Sequence, residues 1–402
     1  MGAVTTPPPP GTPYHRLART ARHRWWRPVL GTVLLAVGLL TAICLLYGVM
    51  AAIGHLAGRS ATPDAPPTLG PLADLAVGLV AIAVALPLTL LAVRWVQARP
   101  VGTISSVCGR LRWRWLGTCL LVAVPAVVVL LGGGIGLLAL TGGDDEPAPA
   151  GTGWPGWLGF LGALAVLLVL VPFQAAAEEY VFRGWLLQGV GAFLRTPWPA
   201  ILVQAVLFAA AHGWGTRWGF ADLAIMATLT GWLTVRTGGL EAAVALHVVN
   251  NLIAFGGAAA TGELAAEEAA ADATWEIFAV SVLVHLGYTI VVLRLARRRG
   301  LATVSPEAVP PTGMATPPSA GAAGPPAPTG WPPAPAAGTW PVGAPPTALG
   351  TGPADRAHGT TAPDLPRTDG AEPTTGSGGR PSGPGEHVAE PVGETGPPGN
   401  RR

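Results

Sequence analysis

Residues 178–184 read Glu-Glu-Tyr-Val-Phe-Arg-Gly, and they place three charged side chains in the most apolar part of the chain. An apolar run, 158–173, precedes this stretch, and Trp-Leu-Leu at 185–187 follows it. A charged side chain at the centre of a membrane costs about 2.5–3.5 kcal/mol on insertion scales. Three of them together indicate a functional site inside the membrane.

The composition is that of a membrane protein. Half of the 402 residues are hydrophobic and only 11% are charged, whereas a soluble domain carries about 25% charged residues. Every basic residue is arginine and none is lysine, which is typical of a GC-rich, bacterial genome and does not by itself indicate a nucleic-acid partner. We therefore expect a bacterial cell-membrane protein that contacts the lipid bilayer and no nucleic acid.

The apolar runs predict eight transmembrane helices, because about 20 apolar residues are enough to span a bilayer. Helices five and six are short and closely joined. The fourth is expected to continue through the 178–184 stretch to residue 190, giving a helix about 50 Å long. The predicted runs are 29–53, 72–96, 116–140, 157 onward, 200–212, 220–235, 240–255 and 277–295.

The distribution of arginines predicts that both termini are cytoplasmic. With that orientation, three arginine-rich segments, 16–27, 94–114 and 294–299, lie on the inside, as the positive-inside rule requires. Only two arginines, Arg59 and Arg217, fall in outside loops. The predicted fold is thus an all-α, multi-pass integral membrane protein.

The chain divides by composition into five parts. The last part is rich in Pro, Gly and Ala and lacks large aliphatic residues, so it cannot bury a core and is predicted to be a disordered cytoplasmic tail. Its Trp331-Pro-Pro sequence could bind a partner that the sequence does not identify. The parts are 1–27, a basic cytoplasmic N-terminus; 28–156, helices one to three; 157–257, helices four to seven; 258–299, helix eight; and 300–402, the tail.

Polar side chains in the second half occur in three signatures with i, i+4 spacing, which places both ends on one helix face. Glu179 can therefore pair with Arg183, while Glu178 points about 100° away. Left unpaired in lipid, the set would cost on the order of 10 kcal/mol, so we expect one shared polar cavity with hydrolytic chemistry. The set comprises Glu178, Glu179, Arg183, His212, His247 and Asn251.

The motif order EExxxR, FxxxH and HxxxN resembles the CPBP family of intramembrane proteases. This family is also called Abi or CAAX protease 2, and it includes the Rce1-type prenyl-protein endopeptidases. The resemblance covers residues 157–257 and rests on 178–184, Phe208-Ala-Ala-Ala-His212 and His247-Val-Val-Asn-Asn251. It implies an intramembrane endopeptidase that acts on a membrane protein or peptide.

The resemblance also implies roles for individual residues. Glu178 would be the general base that activates a water, and His212 would help to hold that water. His247 and Asn251 would face the oxyanion of the tetrahedral intermediate. Supporting roles would fall to Glu179, Arg183 and Phe208.

A zinc mechanism is an alternative at the same site. Glu178, His212 and His247 could form a His₂Glu zinc site with an open position for water. The sequence has no HExxH motif, and this mechanism would need a separate base, which Glu179 could supply only if it were not paired with Arg183. We therefore favour a metal-free mechanism without a cofactor.

Two other functional classes remain at this point. One is a non-proteolytic scaffold or immunity-type protein that keeps these residues for structure. The other is a transporter, since intramembrane Glu and His also mark ion and proton pathways, although the motif order argues against it.

We place the site in the inner half of the membrane, open to the cytoplasm.

Overall fold

Helices form nearly all the regular structure in the computed structural model, which describes residues 5–59, 69–142, 153–264 and 270–307. Within these ranges there is no β-strand beyond two isolated bridges. The α-helices are α1 Trp26–Leu56, α2 Pro71–Ala83, α3 Ala85–Leu91, α4 Trp113–Thr141, α5 Gly156–Glu179, α6 Leu187–Gly191, α7 Trp198–Ala211, α8 Arg217–Thr237, α9 Glu241–Thr261 and α10 Trp275–Arg298.

The all-helical membrane fold is confirmed. In the described ranges, seven helical segments are long and apolar enough to cross a membrane. The remaining predicted span, the fifth, corresponds to α7, which has only 14 residues and a length of about 21 Å, against roughly 30 Å of hydrocarbon. Helix α7 alone is therefore too short to span the bilayer.

The two ends of the helical bundle meet on one side. The Gly11 N–H donates to the Ser305 carbonyl at 2.9 Å, and the Ser305 N–H donates to the Thr12 carbonyl at 2.9 Å. Because α1 follows the first segment and α10 precedes the second, the chain must cross the bundle an even number of times. Eight helices, as predicted from the sequence, would give such an even number, whereas the seven long segments of the described ranges alone would not.

These contacts include the beginning of the predicted tail. Its first residues, 301–305, pair with the N-terminal segment through the bridge between Pro13 and Val304 and the hydrogen bonds above. Residues 308–402, including Trp331, lie outside the described ranges.

The fourth predicted helix is continuous, as expected. Helix α5 passes into a π-helical turn, Tyr180–Leu186, and then into α6. Together they form a span of 36 residues, Gly156–Gly191, or about 54 Å. Wide π turns inside helices are frequent at functional sites, and this one begins directly after the two glutamates.

A connector, 97–112, fixes the ends of the helices around this turn. Its Ser105 carbonyl accepts from the Leu240 N–H at 2.9 Å, one residue before α9. Its Arg112 binds the fully buried Glu241 carboxylate through Nε at 2.8 Å and Nη2 at 2.7 Å. Gly184 lies against the connector, since a Cβ there would come within 2.7 Å of Ile104. Helix α9 packs against α4, α5 and α8, and its His247 and Asn251 meet the last turns of α5.

Candidate active site

Glu178 occupies the last turn of α5, where its carboxylate meets both predicted histidines. Its Oε1 accepts a hydrogen bond from Gln174 Nε2 at 2.5 Å. Its Oε2 lies 3.5 Å from His212 Nε2 and 3.9 Å from His247 Nε2. This second oxygen is buried and has no hydrogen-bond partner among the described residues. One carboxylate oxygen is therefore held, and the other faces two imidazoles.

His212 follows directly after α7 and presents a defined ring nitrogen to the site. Its Nδ1 is 2.8 Å from the Phe208 carbonyl oxygen. A carbonyl can only accept a hydrogen bond, so Nδ1 carries the proton. Nε2 then points toward Glu178, and the short length of α7 explains how a residue at its end reaches the interior of the bundle.

His247 is oriented in the same sense by a different acceptor. Its Nδ1 lies 2.8 Å from Glu179 Oε1. Glu179 is fully buried and also accepts from Arg183 Nη1 at 2.9 Å, which favours the ionised carboxylate. The Nδ1 of His247 therefore donates, and its Nε2 faces Glu178.

Arg183 and Phe208 brace this arrangement from behind. Arg183 is fully buried, donates from Nη2 to Thr230 Oγ1 at 3.0 Å, and holds its guanidinium carbon 4.1 Å from the centre of the Phe208 ring. The Phe208 ring also lies 4.4 Å from the His212 ring and 5.9 Å from the His247 ring, centroid to centroid. The Glu179–Arg183 pair predicted from the i, i+4 spacing is therefore linked to both histidines through the Phe208 ring.

Asn251 joins the site through an intermediary. Its Nδ2 donates to Gln174 Oε1 at 3.1 Å, and Gln174 in turn donates to Glu178. All seven residues singled out from the sequence therefore belong to one connected cluster, contributed by α5 and its π turn, by α7 with the residue after it, and by α9.

Two members of the cluster were missed by the motif reasoning. Gln174 is the polar residue four positions before Glu178 in an otherwise apolar run, so the same spacing argument could have identified it. No sequence feature indicated Thr230. Threonines in apolar helices commonly bond to the backbone of their own helix, and the Thr230 hydroxyl also makes such a bond, to the Met226 carbonyl.

The spacing of the cluster suits a water molecule. A direct N–H···O hydrogen bond spans about 2.7–3.2 Å, so 3.5 and 3.9 Å are too long for direct bonds from the histidines to Glu178. A water at hydrogen-bond distance from Glu178 Oε2 can at the same time reach the Nε2 atoms of His212 and His247.

The same side chains fit zinc less well. Ligands about 2.0–2.2 Å from a tetrahedral zinc lie roughly 3.4 Å apart. The Glu178–His212 distance of 3.5 Å meets this value, but the Glu178–His247 distance of 3.9 Å exceeds it. Across the described ranges, no group of three His, Cys, Asp or Glu side chains has the arrangement of a metal site. The separate base that zinc would need, Glu179, is paired with Arg183.

Comparison with known proteins supports the resemblance carried by the motifs. Residues 160–253 match the family described as Type II CAAX prenyl endopeptidase Rce1-like, and this segment contains all three motifs. A curated relative, the uncharacterized protein YyaK of Bacillus subtilis (strain 168), is 25% identical over 194 residues, which cover 45% of this chain and 60% of the relative. No solved structure matches the chain. The family resemblance is thus confirmed for the segment that builds the site.

Proposed function

We propose that the protein is an intramembrane endopeptidase in which Glu178 activates a water to hydrolyse a peptide bond. One observation carries the proposal: Oε2 of Glu178, which has no hydrogen-bond partner in the described part of the chain, faces the Nε2 atoms of His212 and His247. A carboxylate within reach of a bound water is a suitable general base. The match of residues 160–253 to a CAAX endopeptidase family supports the same reaction class.

In the proposed reaction, His212 Nε2 and Glu178 Oε2 hold the water between them. Glu178 takes a proton as the water oxygen forms a bond to the carbonyl carbon of the scissile peptide. The negative charge that develops on the carbonyl oxygen is stabilised by the Asn251 amide and by His247 when its Nε2 is protonated. The carbon–nitrogen bond then breaks, and Glu178 returns its proton to the leaving amine.

The surrounding charges support these roles. An imidazolium at His247 is stabilised by Glu179, whose carboxylate accepts from Nδ1. Arg183 keeps Glu179 ionised in turn. Gln174 binds Oε1 of Glu178 and thereby directs Oε2 toward the water.

The proposal includes an orientation in the cell membrane, with both termini in the cytoplasm. It rests on the arginine distribution and on the pairing of the two terminal segments on one side. His247 lies six residues after the start of α9, about 9 Å from that end of the helix. The site would then lie in the inner half of the membrane, open to the cytoplasm, and would act on a membrane protein or peptide.

A zinc-dependent mechanism is the second candidate, favoured by one observation. Both histidines donate a hydrogen bond from Nδ1 to an oxygen acceptor, which leaves Nε2 free to bind, and metal-binding histidines commonly adopt this orientation. Glu178, His212 and His247 would hold the ion, which would supply an activated water. Activity of the purified protein before and after chelation and zinc addition separates the two mechanisms: loss on chelation with recovery on zinc addition would establish the metal.

A third possibility, a non-proteolytic scaffold, is tested by Glu178→Ala in cells. We expect normal protein levels and loss of the membrane-protein fragments that wild-type cells contain, measured by quantitative mass spectrometry. Glu276→Gln is the matched control, because Glu276 is a buried glutamate that binds Thr141 on another part of the bundle. An unchanged fragment pattern in the Glu178→Ala cells would favour the scaffold.

A further inference from the structure

A groove on the surface of the bundle lies between the start of α1 and the π turn with α6. Its volume is about 440 Å³, within the range of about 300–1,000 Å³ that is usual for ligand sites. The single polar side chain in its lining, Thr32, accepts a hydrogen bond from Trp185 Nε1 at 2.9 Å. The other lining residues are apolar and include Pro28, Val29, Val33, Val190 and Phe193.

One end of this groove is cationic. Arg19 donates from Nη1 to the Ala192 carbonyl at 3.4 Å, beside the lining residue Phe193. His23 packs edge-on against the Phe193 ring, with centroids 5.0 Å apart. Arg27 directly precedes Pro28; its Nη1 donates to the Gln97 carbonyl at 3.4 Å, and its Nε is buried without a hydrogen-bond partner among the described residues. The chain from residue 5 to residue 27 contains five arginines and no acidic residue.

We propose that this groove binds an anionic phospholipid. One acyl chain would occupy the apolar groove, and the phosphate would contact Arg19 and Arg27 at its cationic end. Basic residues next to a transmembrane helix attract anionic headgroups, and the position of the rim just before α1 places it at the membrane interface. The groove and its rim thus match the two chemical halves of a single lipid molecule.

A lipid at this position would hold α1 against the π turn and α6. Most of α1 is exposed along its length, and its attachment here depends on Trp185. The Trp185 ring packs so closely on Gly31 that a Cβ at residue 31 would clash with it. Trp185 is also only two residues beyond Arg183, so the lipid would act on the π turn without touching the reacting groups.

The test is retention of lipid by the purified full-length chain, measured by native mass spectrometry. Dioleoylphosphatidylglycerol and dioleoylphosphatidylcholine, which share their acyl chains, are the two probes. We expect at least a five-fold preference of the wild-type protein for phosphatidylglycerol. The double variant Arg19→Gln/Arg27→Gln should bind the two lipids equally.

Filling the groove tests the position of the acyl chain. Gly189→Leu adds bulk inside the groove, where a Cβ makes only an ordinary contact with Pro28 at 3.6 Å, and it should lower retention of both lipids at least five-fold. Gly162→Leu is the matched control, because it adds the same side chain to an open face of α5. Val33→Trp fills the groove from α1 and serves if Gly189→Leu does not fold.

Three results would overturn the proposal. One is equal retention of the two lipids by the wild-type protein. Another is unchanged phosphatidylglycerol retention in both groove-filling variants. The third is a dimer that only these two variants abolish, which would show that a second copy of the chain occupies the groove.

Discussion

Replacing Arg183 with methionine tests whether the buried ion pair braces the site. Arg183→Met keeps most of the apolar stem and removes the guanidinium, which contacts Glu179 Oε1 at 2.9 Å, Thr230 Oγ1 at 3.0 Å and the Phe208 ring at 4.1 Å. Glu179 is fully buried, and its Oε2 has no hydrogen-bond partner among the described residues. The variant therefore leaves a buried carboxylate with His247 as its remaining partner.

The expected cost follows from these contacts. Removing one partner of a buried ion pair destabilises a protein by about 3–5 kcal/mol, and a desolvated cation–π contact accounts for about 2 kcal/mol. These terms overlap, so we expect a loss of about 3–5 kcal/mol in the free energy of unfolding. The double variant Glu179→Gln/Arg183→Met removes the stranded charge and should recover at least half of that loss.

Unfolding by titration with sodium dodecyl sulfate in mixed micelles measures this quantity. Arg299→Met is a matched control, because Arg299 also contacts a threonine hydroxyl, at 2.6 Å, and a tryptophan ring, but it is exposed and has no carboxylate partner among the described residues. Exposed contacts of this kind contribute little, so we expect under about 1 kcal/mol for the control. The reasoning is refuted if Arg183→Met costs no more than Arg299→Met, or if the double variant is less stable than Arg183→Met alone.

Two further changes test the contacts around the site. Gln174→Leu removes the donor to Glu178 and the acceptor of Asn251. Because a hydrogen bond to a charged group contributes about 1.5–3 kcal/mol, fragment yield in the cell-based assay should fall roughly ten- to hundred-fold at unchanged protein level. A yield within two-fold of wild type would contradict the assigned role. Glu241→Gln weakens the buried pair with Arg112 that fixes the start of α9. Unfolding in mixed micelles should show that the free energy of unfolding falls by about 3 kcal/mol. A fall below about 0.5 kcal/mol, on the order of a neutral surface substitution, would show that the pair is dispensable.

The local features of the site could be predicted from the sequence. Helical periodicity fixes which side chains share a face, so the Glu179–Arg183 pair and the separate direction of Glu178 follow from spacing alone. The continuity of α5 through the π turn follows from the length of the apolar run and the need to keep Glu178 within the bilayer. These inferences depend only on residues close together in the chain.

The contacts between distant segments could not be predicted in the same way. The bond from Asn251 to Gln174 depends on how α9 is rotated against α5, and the bond from Arg183 to Thr230 depends on the position of α8. Hydropathy predicted the short run 200–212, close to the 14 residues of α7, but it did not indicate where the end of that helix lies relative to Glu178. Such features arise from packing between helices, which a single sequence does not encode in any short spacing.

The central claim, that Glu178 activates water to cleave a peptide bond, is tested most directly in proteoliposomes. The purified full-length protein is reconstituted with extracted membrane proteins in metal-depleted, ¹⁸O-enriched water, and new peptide termini are identified by mass spectrometry. We predict that the wild-type protein and Glu276→Gln generate new carboxyl termini carrying ¹⁸O, and that Glu178→Gln reduces their yield at least 100-fold, as expected for loss of a general base. Equal yields from Glu178→Gln and the wild-type protein would contradict the account.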